Sequence, residues 1–287
     1  MVIYKNFDEA LPHLDAWLKT QPHLPIIEKN VKERFLKICD LDMDKTKKLI
    51  DTNYTIRNSY PNLFMERDLN SSTMQSLLDV LDFVVLEKLD AYGNRVGLCR
   101  LGDPDPDKFL YTELTKLFLM YTDAHTASSE IANIGNGEVI IFDMKGFTLK
   151  HLSKYNFTTL KAFLRFATEG ISSKIIAVHM INCPTYIDKI LAILKPFISA
   201  ELFKLLHFHQ PNSETLYEFI EKSILPNEYG GNGGTMEELK QREVEILKSK
   251  RDYLMDPKYW KINDDKRPKN QPKNYEMEGQ FRQLCID

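Results

Sequence analysis

The sequence predicts an α/β fold, a mixed sheet with flanking helices, preceded by a small all-helical N-terminal domain. Three observations carry this reading. No strand signal appears before residue 80, where apolar residues recur at helical spacing instead. From residue 83 five short runs rich in Val, Ile and Phe follow, at 83–86, 96–101, 138–143, 175–182 and 205–209. Longer segments of helical period separate them, and strand–helix alternation builds a sheet with helices packed on it. The boundaries read as 1–80 for the helical domain, 81–245 for the sheet domain and 246–287 for a polar C-terminal tail.

In the first domain Leu11, Leu14 and Leu18 share one helix face, as do Val31, Phe35 and Ile38. Asp42 or Asp44 caps a further helix whose inner face holds Leu49, Ile50 and Ile56. Pro61 ends that pattern, and Asn70-Ser71-Ser72 marks a loop. In the second domain Ala91-Tyr92-Gly93-Asn94 fits a hairpin turn between the first two strands. Helical stripes then run through Leu114, Leu117, Phe118 and Tyr121, through Leu160, Phe163, Leu164 and Ala167, and through Ile187, Ile190, Leu191, Leu194 and Ile198. A polar helix starts near Met236. Between Lys258 and Lys273 six Lys or Arg stand against two Asp, a run expected to be solvated.

Composition excludes several classes. A net charge of −3 argues against a general nucleic-acid binder. No apolar run is long enough for a signal peptide or a membrane span. Cys39, Cys99, Cys183 and Cys285 are scattered, without a CxxC pair, so neither a disulfide framework nor a structural zinc site is indicated. The expected location is the cytoplasm.

Candidate chemistry is thin. The cluster Gly230-Gly231-Asn232-Gly233-Gly234 lacks the Lys-Ser/Thr that ends a phosphate loop and reads as a chain reversal. His179, His207 and His209 lack a further ligand at metal-binding spacing and read as structural. No GxSxG elbow is present, and no His partner is evident for Cys183. The sequence is therefore read as a non-enzyme, without cofactor or metal. The segment 186–199, YIDKILAILKPFIS, stands out because Ile193 and Phe197 extend its apolar character beyond one stripe. Such a helix is buried, meets a partner, or alternately covers a pocket and touches lipid.

Four motifs, in this order and spacing, carry a resemblance: RFLKICDLDMDKTKKLID from Arg34, EVIIFDMKGF from Glu138, AVHMINCP from Ala177, and ILPNEYGG from Ile224. They resemble the CRAL-TRIO lipid-binding family, in the animal branch of tocopherol and retinaldehyde carriers and clavesins. The resemblance implies a five-stranded sheet enclosing an apolar pocket shut by a mobile gate helix, here 186–199. It places the ligand-binding wall on Leu117, Met120, Tyr121, Ala124, Phe142, Phe163, Phe166, Ala167, Ile171, Val178, Ile190, Leu194 and Ile198. The gate would carry Ile187, Leu191, Ile193 and Phe197. Tyr121, Thr122 and His125 are the polar groups available to orient a ligand. Of four positions that are basic in the tocopherol branch and recognise phosphoinositides, only Lys174 carries a base here. The others fall on Cys39, Ile176 and Glu201, so phosphoinositide reading of that kind is not expected. The implied function is carriage of an isoprenoid-type molecule (tocopherol, retinoid or carotenoid) by a monomer that meets membranes transiently. The alternative is a lipid-sensing adaptor in membrane trafficking or signalling that binds phospholipid or phosphoinositide.

Overall fold

The computed structural model describes residues 2–128 and 135–268. Five helices come first: α1 (Phe7–Lys19), α2 (Lys29–Ile38), α3 (Met43–Ser59), α4 (Pro61–Phe64) and α5 (Ser72–Leu77). Local signals set their starts. The Asn6 side chain accepts from the Glu9 amide at 2.9 Å to cap α1. Asp42 caps α3 through the amides of Asp44 and Lys45, at 3.0 and 3.1 Å. Pro61 opens α4, where a missing N–H leaves nothing unpaired. Leu14, Phe35 and Ile50, each from one of the stripes seen in the sequence, are sealed from solvent.

β1 (Leu81–Val85) and β2 (Arg95–Leu101) then form an antiparallel hairpin. Its turn is held by the Asp90 carboxylate, which accepts the amides of Tyr92 and Asn94, with Gly93 at φ +77°. There follow α6 (Tyr111–Ser128), β3 (Glu138–Asp143), α7 (Leu149–Ser153), α8 (Phe157–Arg165), β4 (Ile175–Ile181), α9 (Ile187–Leu194), α10 (Ala200–Lys204), β5 (Leu206–Phe208), α11 (Met236–Ser249) and α12 (Arg251–Met255). The sheet order is β1-β2-β3-β4-β5, with β2 to β5 parallel. This is the mixed five-stranded α/β architecture the sequence predicts.

Register sorts the side chains into two faces. Val84, Val96, Leu98, Val139, Ile141 and Ala177 form the outer face, buried under Leu216, Ile220, Ile224, Leu225, Met236 and Leu239. The glycine cluster belongs to this covering segment. A side chain at Gly231 or Gly233 would collide with the carbonyl of Leu225 or Ile224, and the amides of both glycines already donate to backbone carbonyls. That is a chain reversal with no amide cradle left for a phosphate. Thr235 then caps α11 in a reciprocal capping box with Glu238.

The C-terminal segment corrects an expectation. Residues 246–262 are not a solvated tail: Leu247, Leu254, Trp260 and Ile262 lie in the main core with Phe35, Tyr54 and Leu117. Trp260 is placed by ionic groups that the polar sequence around it does not reveal. Arg57 and Arg67 both pair with Asp123 of α6, Arg57 through two bonds of 2.7 Å. Their guanidinium carbons lie 4.9 and 4.1 Å from the Trp260 ring centroid. Burial pushes the Asp123 carboxyl up, but the two arginines outweigh it and hold it below the usual carboxylate range. A second cluster ties α2 to the sheet, where Arg34 reaches Glu138 at 2.5 Å and the Ser172 carbonyl at 2.8 Å. Lys269 and Lys273 of the basic run lie outside the described residues.

Candidate functional site

Beyond the Arg95–Glu138 ion pair at the start of β2 and β3, the inner face of the sheet is apolar from edge to edge. Register places Phe83 and Val85 beside Gly97 and Cys99, then Ile140 and Phe142, Val178 and Met180, and finally Leu206 and Phe208. Its two halves are covered differently. Over β1 and β2 the packing is closed: Phe83, Val85 and Cys99 are buried against α6 and the N-terminal helices. Over β3 to β5, Ile140, Phe142, Met180, Leu206 and Phe208 are only half-buried. The elements above them are half-buried too, at Phe163, Ala167, Ile171, Ile187, Leu191, Leu194 and Ile198. Apolar side chains of both layers thus keep accessible surface that those over β1 and β2 do not.

The expected wall therefore divides. Phe142, Phe163, Ala167, Ile171, Leu194 and Ile198 lie half-buried in these two layers, and Val178 and Ile190 are buried beside them. Phe166 is corrected: it packs among Ile56, Leu63 and Phe64, its ring 4.8 Å from that of Phe64 and beneath the Arg57 guanidinium. Leu117, Met120 and Ala124 are corrected: each has 0% exposure and packs in the solid core. A side chain beside a void large enough for water keeps some accessible surface, and these keep none. Tyr121 is equally enclosed, its ring centroid 5.2 Å from that of Phe83. Missed by the sequence reading were Ile140, Met180, Leu206, Phe208 and Phe118. Phe118 bridges Phe142 and Phe163, at 6.3 and 5.8 Å between centroids. Period two from Phe142 and Val178 would have found Ile140 and Met180.

α9 has a single buried residue, Ile190, which packs with Met144, Leu152 and Cys183. Ile193 and Phe197 point outward, 44% and 37% exposed. Two contacts hold the segment's ends: Tyr186 Oη donates to the Phe147 carbonyl at 2.9 Å, and the Phe197 ring stacks on Phe157 at 5.0 Å. Phe157 is itself exposed. Beyond α8 the chain makes a π-helical turn, Phe166–Gly170, before β4.

The polar candidates are distributed unevenly. Thr122 donates to the Leu119 carbonyl of its own helix. Arg95 contacts His125 Nδ1 at 2.8 Å, so that nitrogen accepts. Burial first, and Arg95 second, push the His125 imidazole down to about 3, leaving it neutral. Tyr121 Oη is buried without a hydrogen-bond partner, and burial raises its pKa. Of the four basic-cluster positions, Lys174 is exposed, Cys39 is buried, Ile176 packs against the outer core and Glu201 is half-buried. A void of about 10 Å³, room for one water, lies elsewhere, between Tyr54, Arg57, Asp123, Tyr253 and Trp260. Among the described residues no group of His, Cys, Asp or Glu is arranged to hold a metal ion, and no helix is long and apolar enough to cross a membrane.

Two family models match parts of the chain. A model of the CRAL/TRIO domain matches residues 81–231, and one of the Pinta-like UBA domain matches residues 4–74. The chain is 28% identical over 221 residues to the α-tocopherol transfer protein-like protein of Homo sapiens, covering 77% of this chain and 63% of that one. It is 29% identical over 150 residues to clavesin-2 of Rattus norvegicus, covering 51% and 44%. The chain thus spans less than two thirds of the length of these relatives. The crystal structure of Sfh5 superposes with a TM-score of 0.50 at 14% identity, covering 87% of this chain and 99% of that one, a likeness of fold.

Proposed function

Because the chain belongs to the CRAL/TRIO domain family, we propose that it binds one apolar small molecule between the inner face of β3–β5 and the α8–α9 layer, and carries it between membranes. The observation that carries this reading is the half-buried, wholly apolar surface on both sides of that layer. A solid core would seal such residues, as it does on the β1–β2 side. An isoprenoid-sized ligand burying ~400 Å² gains ~10 kcal/mol gross at ~25 cal/mol per Å². Association and ordering costs reduce that to nanomolar-to-micromolar affinity.

Such a molecule partitions into bilayers nearly as well as into protein, so the carrier works only if the compartment opens at a membrane. In this reading α9 is the moving cover. Its outward Ile193 and Phe197, with Phe157 beside them, enter the lipid interface while Ile190 withdraws from its seat. Tocopherol, retinoid and carotenoid are the favoured ligand classes. The loss of three basic-cluster positions leaves release to the apolar contact itself. The protein acts as a monomer at cytoplasmic membrane surfaces and performs no covalent chemistry.

The test is organic extraction of the purified protein followed by mass spectrometry. A stoichiometric isoprenoid, sterol or carotenoid is expected. A bound phospholipid together with a stable protein partner would replace the carrier by a lipid-sensing adaptor.

A further inference from the structure

Behind the apolar compartment, on the outer face of the same strands, lie three imidazoles. His179 of β4 stands in register with His207 of β5. Its ring lies 4.9 Å from that of His207 and 5.2 Å from that of His209. His179 Nδ1 and His209 Nε2 are 2.9 Å apart, and His209 Nδ1 meets Thr215 Oγ1 at 2.8 Å. Phe219 lies against the His179 and His207 rings, at 5.0 and 4.9 Å. The charged groups around the trio are few. From β3 the facing residue is Ile141, and the covering segment brings two exposed carboxylates, Glu214 and Glu218, of which Glu218 acts on His209. Tyr217 of that segment turns its hydroxyl to the Tyr229 carbonyl.

This trio sits on the least supported joint of the sheet. β5 is three residues long, lies at the end of the strand order and pairs with β4. Beyond the short ladder itself, the joint is flanked by Val178 N–H to the Leu205 carbonyl, His209 N–H to the Met180 carbonyl, and Cys183 N–H to the His209 carbonyl. The chain between the two strands is the α9–α10 cover, and the opposite faces of β4 and β5 present Val178, Met180, Leu206 and Phe208 to the compartment.

We propose that the histidine trio is an acid-sensitive latch: adding protons to the stacked imidazoles unpairs β5 from β4, releases the α9–α10 cover and opens the apolar compartment. The neutral state needs one proton between His179 Nδ1 and His209 Nε2; two protons set donor against donor and cation against stacked cation. Burial, then the two neighbouring histidines, lower the His179 imidazole to about 4, and burial also lowers His209. A group depressed in the fold stabilises it above the ordinary histidine value of ~6.5, and that contribution is lost as pH falls toward 4. For His179 alone, linkage makes the opened form about 20-fold more populated at pH 5 than at pH 7. The functional half of this inference rests on the carrier reading.

The test has two arms on the full chain. Amide exchange of Val178, Cys183 and His209, corrected for intrinsic rates and measured without ligand, is expected to show about 20-fold more opening at pH 5 than at pH 7. His179→Phe, or His179→Gln if the first does not fold, flattens that response, whereas the distant control His13→Gln keeps it. Equal opening at both pH values, or an undiminished response in the His179 variants, overturns the latch. The second arm follows retention of diphenylhexatriene, a neutral hydrocarbon fluorophore, which should fall over the same pH range. If the amides open in acid but the fluorophore is bound at neither pH, the latch stands and the carrier reading fails.

Discussion

Replacing Asp123 by Asn tests the ionic cluster that joins the N-terminal helices, α6 and the C-terminal segment. The Asp123 carboxylate accepts two hydrogen bonds of 2.7 Å from Arg57 and a third from Arg67. Asparagine keeps one acceptor oxygen and points an NH2 group at guanidinium donors. Two cations that are buried at Arg57 and Arg67 then lose their counter-charge, leaving Trp260 and the Arg57 Nε bond to Asn53 at 2.9 Å. Removing one partner of a buried ion pair costs about 3–5 kcal/mol. With a total stability of about 5–15 kcal/mol, that is a large part of the whole. At a urea slope near 2–3 kcal/mol per M, the midpoint should fall by about 1.5 M. Equilibrium urea unfolding, followed by circular dichroism and by Trp260 fluorescence in a Trp17→Phe background, reads the shift. Asp252→Asn, at an exposed carboxylate, serves as the unshifted control. A midpoint change below about 0.3 M for Asp123→Asn would refute the argument that this carboxylate holds the cluster together.

The other predictions address the compartment directly. Ala167→Phe fills the half-buried layer below α8; it should abolish retention of diphenylhexatriene while costing less than ~1.5 kcal/mol in a thermal melt, and undiminished retention would move the ligand elsewhere. Phe197→Asp breaks an exposed stack with Phe157. It should slow transfer of the fluorophore between vesicles at least tenfold with solution affinity within twofold, and unchanged transfer counts against α9 as the membrane-facing cover. Tyr121→Phe removes a buried hydroxyl that has no partner. It should leave stability equal or raised by up to ~1 kcal/mol, and a loss above that amount in urea titration would reveal a partner for the hydroxyl.

The sheet was legible because its signal is local: apolar runs of strand length, spaced by helical segments. Asp42 was legible as a cap for the same reason, since its partners are two and three residues away. The division of the expected wall was not. Leu117 and Phe163 both lie on apolar helical stripes, yet one is sealed by the N-terminal helices and the other is half-buried against Phe118. Periodicity says which side of a helix faces inward, not how fully the space it faces is filled. Trp260 defeated the reading differently. It stands in a stretch of Lys, Asn and Asp, and the groups that bury it, Arg57 and Arg67, are about two hundred residues earlier. Leu206 and Phe208 needed strand register as well as strand identity, since one residue of slip would turn each to the other face.

The long reach from Arg57 and Arg67 to Trp260 also bears on how the protein is made. During synthesis both arginines emerge early and Asp123 later; Trp260 follows after the entire sheet. The hydrogen bond that the Asn58 side-chain amide donates to the Trp260 carbonyl spans 202 positions, so the last piece of the interface leaves the ribosome long after the first helices. Those helices cannot reach their final packing on the growing chain, and their apolar faces wait for the sheet and the C-terminal segment. The N-terminal module, translated first, therefore gains its last packing partner only when Trp260 is in place.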